Sequence, residues 1–93
     1  MIVIIVERAT PSLRGELTRW LIQPKTGVFV GFVPARVRDL LWQRVAKALR
    51  DGAAVLIHND NTEQGFSVRM LGEPSKTIED FEGLFLPKTR ASP

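Results

Sequence analysis

The sequence contains no cysteine and a single histidine, His58. Without cysteine there is no disulfide framework, no thiolate zinc site and no cysteine nucleophile. One imidazole leaves a multi-histidine metal centre or a Ser-His hydrolase unsupported. Long apolar runs are also missing, since none approaches the roughly 20 residues that span a bilayer. The opening Met1–Val6 run is short for a signal peptide, lacks a basic start and leads straight into Glu7 and Arg8. A cytoplasmic protein with no membrane role is expected. No Gly-rich phosphate loop, Walker pattern or aromatic RNA-recognition motif is present.

What remains is the composition of a folded protein: 93 residues, 44% hydrophobic and 25% charged. That length supports one domain, with a core small enough that a partner or second copy would help. The charge is lopsided. Residues 1–50 carry nine Arg or Lys against three acids, and residues 51–93 carry four against seven, so halves of +6 and −3 make up the net +3. Such a split suits two partners of opposite charge, or two solvated helix faces. Arg outnumbers Lys nine to four, and the planar guanidinium fork suits phosphate.

Met1–Val6 is a continuous, mostly β-branched run and reads as a strand buried on both faces. Thr10-Pro11 supplies a helix N-cap followed by Pro at the first helical position. Leu13, Leu17, Trp20 and Leu21 then form one apolar stripe, which predicts a helix ended by Pro24. Gly15 weakens that helix, so something is expected to approach its backbone closely. Val28–Val33 reads as a β run interrupted at Gly31. Pro34 opens a longer helix to about Arg50, with Val37, Leu40, Leu41, Val45, Ala48 and Leu49 facing the core. Ala53–His58 and Phe66–Leu71 read as a hairpin around the polar turn 59–65. Residues 72–82 form an irregular charged connection, and Gly83–Pro87 reads as a short last strand. The expected architecture is α+β: a ferredoxin-like β-α-β-β-α-β sandwich with an additional C-terminal strand over residues 1–87, and a flexible tail at 88–93. With both helices on one face, the other face needs cover, and a symmetric homodimer is the economical answer.

Glu7 is the most pointed candidate for chemistry, as the first charge at the carboxyl end of an apolar strand. In a two-fold dimer, two copies of Glu7 could hold a Mg²⁺ ion, which prefers oxygen ligands. The plainer reading is a strand-end Glu paired with Arg8 or solvated. Arg14, with Ser12 and Gly15, lies on the first turns of helix one, where an anion such as a backbone phosphate is favoured. Lys76 is a second phosphate candidate. His58 reads as a strand-end residue rather than a catalyst, and Trp20 and Trp42 as core or dimer residues rather than base-stacking platforms. Asp60–Glu63 superficially resembles a calcium loop but lacks the remaining ligand spacing.

Taken together, IVERATPSLRGELTRWL, GVFVGFV, LLWQRVA, NDNTEQGF and EDFEGL resemble CRISPR-associated protein Two of the type I-E systems, in order and spacing, to about Leu86. The resemblance implies a ferredoxin-like homodimer, the small subunit of a spacer-acquisition complex. There it sits between dimers of the integrase, CRISPR-associated protein One, and holds double-stranded DNA while the integrase performs the chemistry. It also implies that Arg14 contacts the DNA backbone beside the retained basic Lys76. Ser12 and Ser75 stand where relatives are basic, and Arg8 and Arg36 are the bases expected to compensate. Glu63 and Glu82 match acidic positions that face the integrase, and the strand Leu84, Phe85 and Leu86 packs at that interface. The wider family was first described as Mg²⁺-dependent endonucleases on RNA or DNA, acting through the residue matched by Glu7. In type I-E members spacer acquisition does not require it. The alternatives are thus a scaffold, a metal-dependent nuclease built on paired Glu7, and a small RNA-binding regulator.

Overall fold

In a computed structural model of the chain, residues 1–49 and 52–72 are described. They form strand β1 (Ile2–Glu7), helix α1 (Pro11–Leu17), β2 (Ile22–Lys25), β3 (Val28–Gly31), α2 (Ala35–Ala48), β4 (Ala53–Asn59) and β5 (Phe66–Leu71). The expected strand at Gly83–Pro87 and the tail at 88–93 lie outside the described residues.

The six-residue β1 is central because it has no polar side chain before Glu7. It pairs antiparallel with β3 through Ile2–Gly31 and Ile4–Phe29, and with β4 through Ile2–His58 and Glu7–Ala53. β2 and β5 close the edges, giving the order β2-β3-β1-β4-β5 with every pair antiparallel. This is the ferredoxin-like arrangement extended by one strand. Directly paired residues share a face and neighbours alternate. Ile2, Ile4, Val6, Phe29, Ala54 and Leu56 therefore point to one side, where they meet Leu13, Leu17, Leu21, Leu41 and Val45 as the buried core. The opposite face carries Val3, Val30, Ile57 and Val68 in one row and Ile5, Val28, Val55 and Met70 in the next.

Helix α1 starts as its sequence dictates. The Thr10 hydroxyl oxygen accepts from Leu13 N–H at 3.1 Å, and Pro11 occupies the first turn. It stops earlier than the apolar spacing predicts. Thr18 turns its hydroxyl back to donate to the Arg14 carbonyl at 3.0 Å, and the chain leaves the helix. Further bonds, Arg19 N–H to the Glu16 carbonyl at 3.3 Å and Trp20 and Leu21 N–H to the Leu17 carbonyl at 3.1 and 2.9 Å, keep Leu21 in helical register and in the core. Trp20, one residue earlier, faces outward and is 51% exposed, which corrects its reading as a core residue.

Pro24 is not a helix terminator but a member of edge strand β2, where its missing N–H is tolerated. The strand carries an extra residue between the Ile22–Val30 and Lys25–Val28 pairs, a bulge. β3 is shorter than the expected run and ends at Gly31. A Cβ there would come within 2.8 Å of the Leu21 side chain, and the next residue, Phe32, is 81% exposed. On α2, Leu41 and Val45 are buried while Val37, Trp42 and Ala48 pack against the core, as does Leu49 just after the helix. Leu40 is 44% exposed rather than part of the stripe.

Candidate nucleic-acid interface

Because α1 follows β1 and α2 follows β3, the two helices start at opposite ends of the sheet. Glu7, Arg8 and the start of α1 lie at one end. Arg36, in the first turn of α2, lies at the other, as does the β4–β5 turn with Glu63. The sequence candidates for nucleic acid therefore divide into Arg8 with Arg14 at one end and Arg36 at the other. Lys76, Glu82, Leu84, Phe85 and Leu86 lie outside the described residues.

Arg8 is exposed and has φ = 65°, a left-handed conformation uncommon for a residue with a side chain. The strand terminates there, and the reversal leads the chain to Thr10 and α1. Arg14 is half-buried on α1. A Cβ at Gly15 would meet nothing within 4 Å. The close approach expected there is absent among the described residues, and the surface beside Arg14 is open.

The helical layer is basic as a whole. α1, the turn after it and α2 carry Arg14, Arg19, Arg36, Arg38, Arg44 and Lys47 against Glu16 and Asp39. Both carboxylates are matched to arginines. Glu16 forms an ion pair with Arg44 across the two helices. Asp39 accepts from Arg38 at 3.0 Å and from Arg69 of β5 at 3.3 Å. The bond from Arg38 holds the Asp39 carboxyl below its ordinary pKa, and the charges of Arg38 and Arg69 add to that. What the layer presents beyond these pairs is positive.

Glu7 pairs with Ala53 and, by alternation, belongs to the sheet face away from the helices, with Val3 and Ile5. No group of three or more His, Asp or Glu side chains is placed to hold a metal among the described residues. Among the described residues Glu7 belongs to no such group. A Cβ at Gly52 would overlap the Glu7 carbonyl oxygen, so the backbone at Gly52, just before β4, lies close against this strand end.

The turn carrying Glu63 is built by its own polar residues. Asp60 Oδ1 accepts from Thr62 N–H at 2.9 Å and from its hydroxyl at 2.7 Å, and Gly65 adopts φ = 86° to close the hairpin. Those bonds hold the Asp60 carboxyl below its usual pKa. Oδ1 thus serves the turn, and Glu63 is exposed at the tip.

Two features escape a reading of the sequence. His58 is 7% exposed and faces the helices, with Nδ1 3.2 Å from Arg38 Nη1. It joins the Arg38–Asp39–Arg69 group, whose members are up to 31 positions apart in sequence. The second is a groove between α1 and α2 lined by Glu16, Arg19, Trp20, Leu40, Leu41 and Arg44. Trp20 next to Arg19 was the available signal, masked by the helical spacing of Trp20.

No helix among the described residues is long and apolar enough to cross a membrane. Residues 1–86 match a protein family described as CRISPR-associated protein (Cas_Cas2CT1978).

Proposed function

The chain belongs to this CRISPR-associated protein family, and from that premise we propose that it is a DNA-binding scaffold of spacer acquisition, of the type I-E kind. It works as a symmetric homodimer that holds double-stranded DNA for the integrase, CRISPR-associated protein One. The observation that carries this reading is the two-sidedness of the fold. A basic helical layer covers one side of the sheet, and an apolar face without a described helix forms the other. The basic side suits a polyanion, since phosphate contacts supply most of the affinity for duplex DNA. The apolar side suits a second copy, which would repeat the basic surface about a two-fold axis. Arg8, Arg14, Arg36 and, beyond the described residues, Lys76 carry the phosphate contacts. Glu63 at its exposed turn, with Glu82 and the segment Leu84–Phe85–Leu86, meets a basic surface of the integrase.

A nuclease role for Glu7 is separated from the scaffold role by one assay. Spacer-length duplex is mixed with the cognate integrase and either the wild-type chain or Glu7→Ala, and integrated product is measured. Equal integration is expected. A Glu7→Ala chain that still assembles with the integrase but no longer supports integration would move the chemistry onto Glu7, with Mg²⁺ held by the paired carboxylates of the dimer.

A further inference from the structure

Large apolar side chains are exposed singly on many proteins, but two of them facing one groove rimmed by charge mark a binding surface. Trp20 and Leu40 are 51% and 44% exposed, and both line the groove between α1 and α2. Leu41, which is buried, forms its floor, and Arg19 and Arg44 stand at its rim. The groove encloses about 220 Å³. That is below the roughly 300 Å³ at which pockets take drug-sized ligands, so a single flat ring suits it better than a cofactor.

We propose that this groove binds one unpaired nucleotide, its base stacked on the Trp20 indole and its flanking phosphates held by Arg19 and Arg44. The inference rests on the nucleic-acid reading above and deepens it by adding a single-strand site to the duplex-holding surface. An aromatic ring set in a cationic surface is the recurring device of single-strand binding, because every base presents a π-face. The helices that form the groove carry further cations: Arg14 lies on α1, and Arg36 and Lys47 on α2. Glu16 would repel a phosphate, but it is held in an ion pair with Arg44. That pair engages Nη1 of Arg44, and a guanidinium has further N–H donors for a second oxygen. A partner protein with an acidic, apolar segment also matches the rim. The excess of cations over both helices favours the polyanion.

The test uses the full chain and a short oligothymidylate, with a blunt duplex as the comparison. Replacing Trp42 by Phe leaves Trp20 as the sole reporter, and its emission is expected to be quenched by the oligothymidylate. Trp20→Ala should lower affinity for the oligothymidylate about tenfold, Trp20→Phe much less, while blunt-duplex affinity changes less than about twofold. Glu16→Gln should tighten oligothymidylate binding. If Trp20→Ala fails to fold, Trp20→Phe and Arg19→Ala decide the matter through the same two affinities.

Absence of quenching, or equal loss of duplex and single-strand binding in Trp20→Ala, overturns the inference. So does a variant that keeps oligothymidylate affinity but no longer co-elutes with the integrase, which would make the groove a protein-docking site. A wild-type chain that binds neither probe would overturn the DNA-scaffold reading itself. Intact duplex binding without a single-strand effect would overturn this inference alone.

Discussion

Nδ1 of His58 lies 3.2 Å from Nη1 of Arg38 and also 2.8 Å from the Asn59 carbonyl oxygen. In a neutral imidazole it can accept from the guanidinium or donate to the carbonyl, but not both. Nε2 is buried and has no hydrogen-bond partner among the described residues, so either tautomer leaves one polar contact unmet. Arg38 keeps Asp39 as a partner in any case. Replacing the ring with an apolar group of similar volume therefore removes about as much cost as benefit. His58→Leu is expected to change stability by less than about 0.5 kcal/mol, whereas His58→Ala, which leaves a void, should cost about 1–3 kcal/mol. Urea unfolding of both variants checks this. A His58→Leu loss as large as that of His58→Ala would mean that the polar contact itself stabilises the fold.

Asp39 ties α2 to β5 through Arg69 as well as to Arg38. Its folded pKa lies below the unfolded value of about 3.9. The carboxylate therefore stabilises the native state above about pH 4, and that contribution fades as pH falls through the lower folded value. Because the side chain is 48% exposed, the effect should stay below about 1 kcal/mol. Asp39→Asn should be slightly less stable than wild type at pH 7, and the two should converge toward pH 3. A constant gap across that range, measured by thermal unfolding, would refute the assignment.

Gly15 and Gly52 make a contrasting pair. Gly15 lies within α1, and a Cβ there meets nothing within 4 Å. Gly15→Ala should then stabilise by about 0.5–1 kcal/mol through the unfolded chain's lost freedom and better helix propensity. At Gly52 the same methyl would overlap the Glu7 carbonyl oxygen, which is backbone and cannot swing aside. Gly52→Ala should cost about 1–3 kcal/mol. At roughly 4–8 °C per kcal/mol for a chain of this size, melting curves should separate the two variants in opposite directions.

The fold was largely legible because its strongest signals are local. Six apolar residues before Glu7 specify a central strand, Thr10-Pro11 starts a helix, and the polar turn at 59–65 joins the apolar run Ala53–Ile57 to the strand Phe66–Leu71. Strand β2 was hidden by two signals that agree with each other. The spacing of Leu13, Leu17, Trp20 and Leu21 is helical, and Pro24 resembles the end of that helix. The helix ends at Leu17, yet backbone bonds from Arg19, Trp20 and Leu21 N–H keep Leu21 in register beyond it, so the periodicity outlasts the element. The candidate site was legible as single residues and not as an arrangement. Nothing local in the chain relates Asp39 to Arg69, or Glu16 to Arg44. Those pairs exist because antiparallel strands and a second helix bring distant segments together.

Arg14 should behave as a phosphate contact. Removing such a group weakens duplex binding at every sequence alike and reduces the slope of log affinity against log salt by about one unit. Arg14→Ala is therefore expected to lower duplex affinity uniformly, with a shallower salt dependence. A slope equal to that of wild type in fluorescence-anisotropy titrations would exclude a phosphate role.

Met70 tests the other side of the molecule. It is 54% exposed on the face away from the helices, in the row with Ile5, Val28 and Val55, and Val68 lies in the neighbouring row. Ile5 and Val55 are already buried within the chain, so the exposed part of this face is the β5 edge with Met70 and Val68, an apolar strip that a two-fold axis could bring against its own copy. A carboxylate introduced there by Met70→Glu would be desolvated in the dimer and set close to its own copy, which costs association heavily. In a monomer it would remain in water, so the fold should tolerate it. Analytical ultracentrifugation is expected to find a dimer for wild type and a monomer for Met70→Glu, with the far-ultraviolet dichroism of the two alike. A variant that stays dimeric would place the two-fold contact elsewhere and leave this sheet face without the proposed partner.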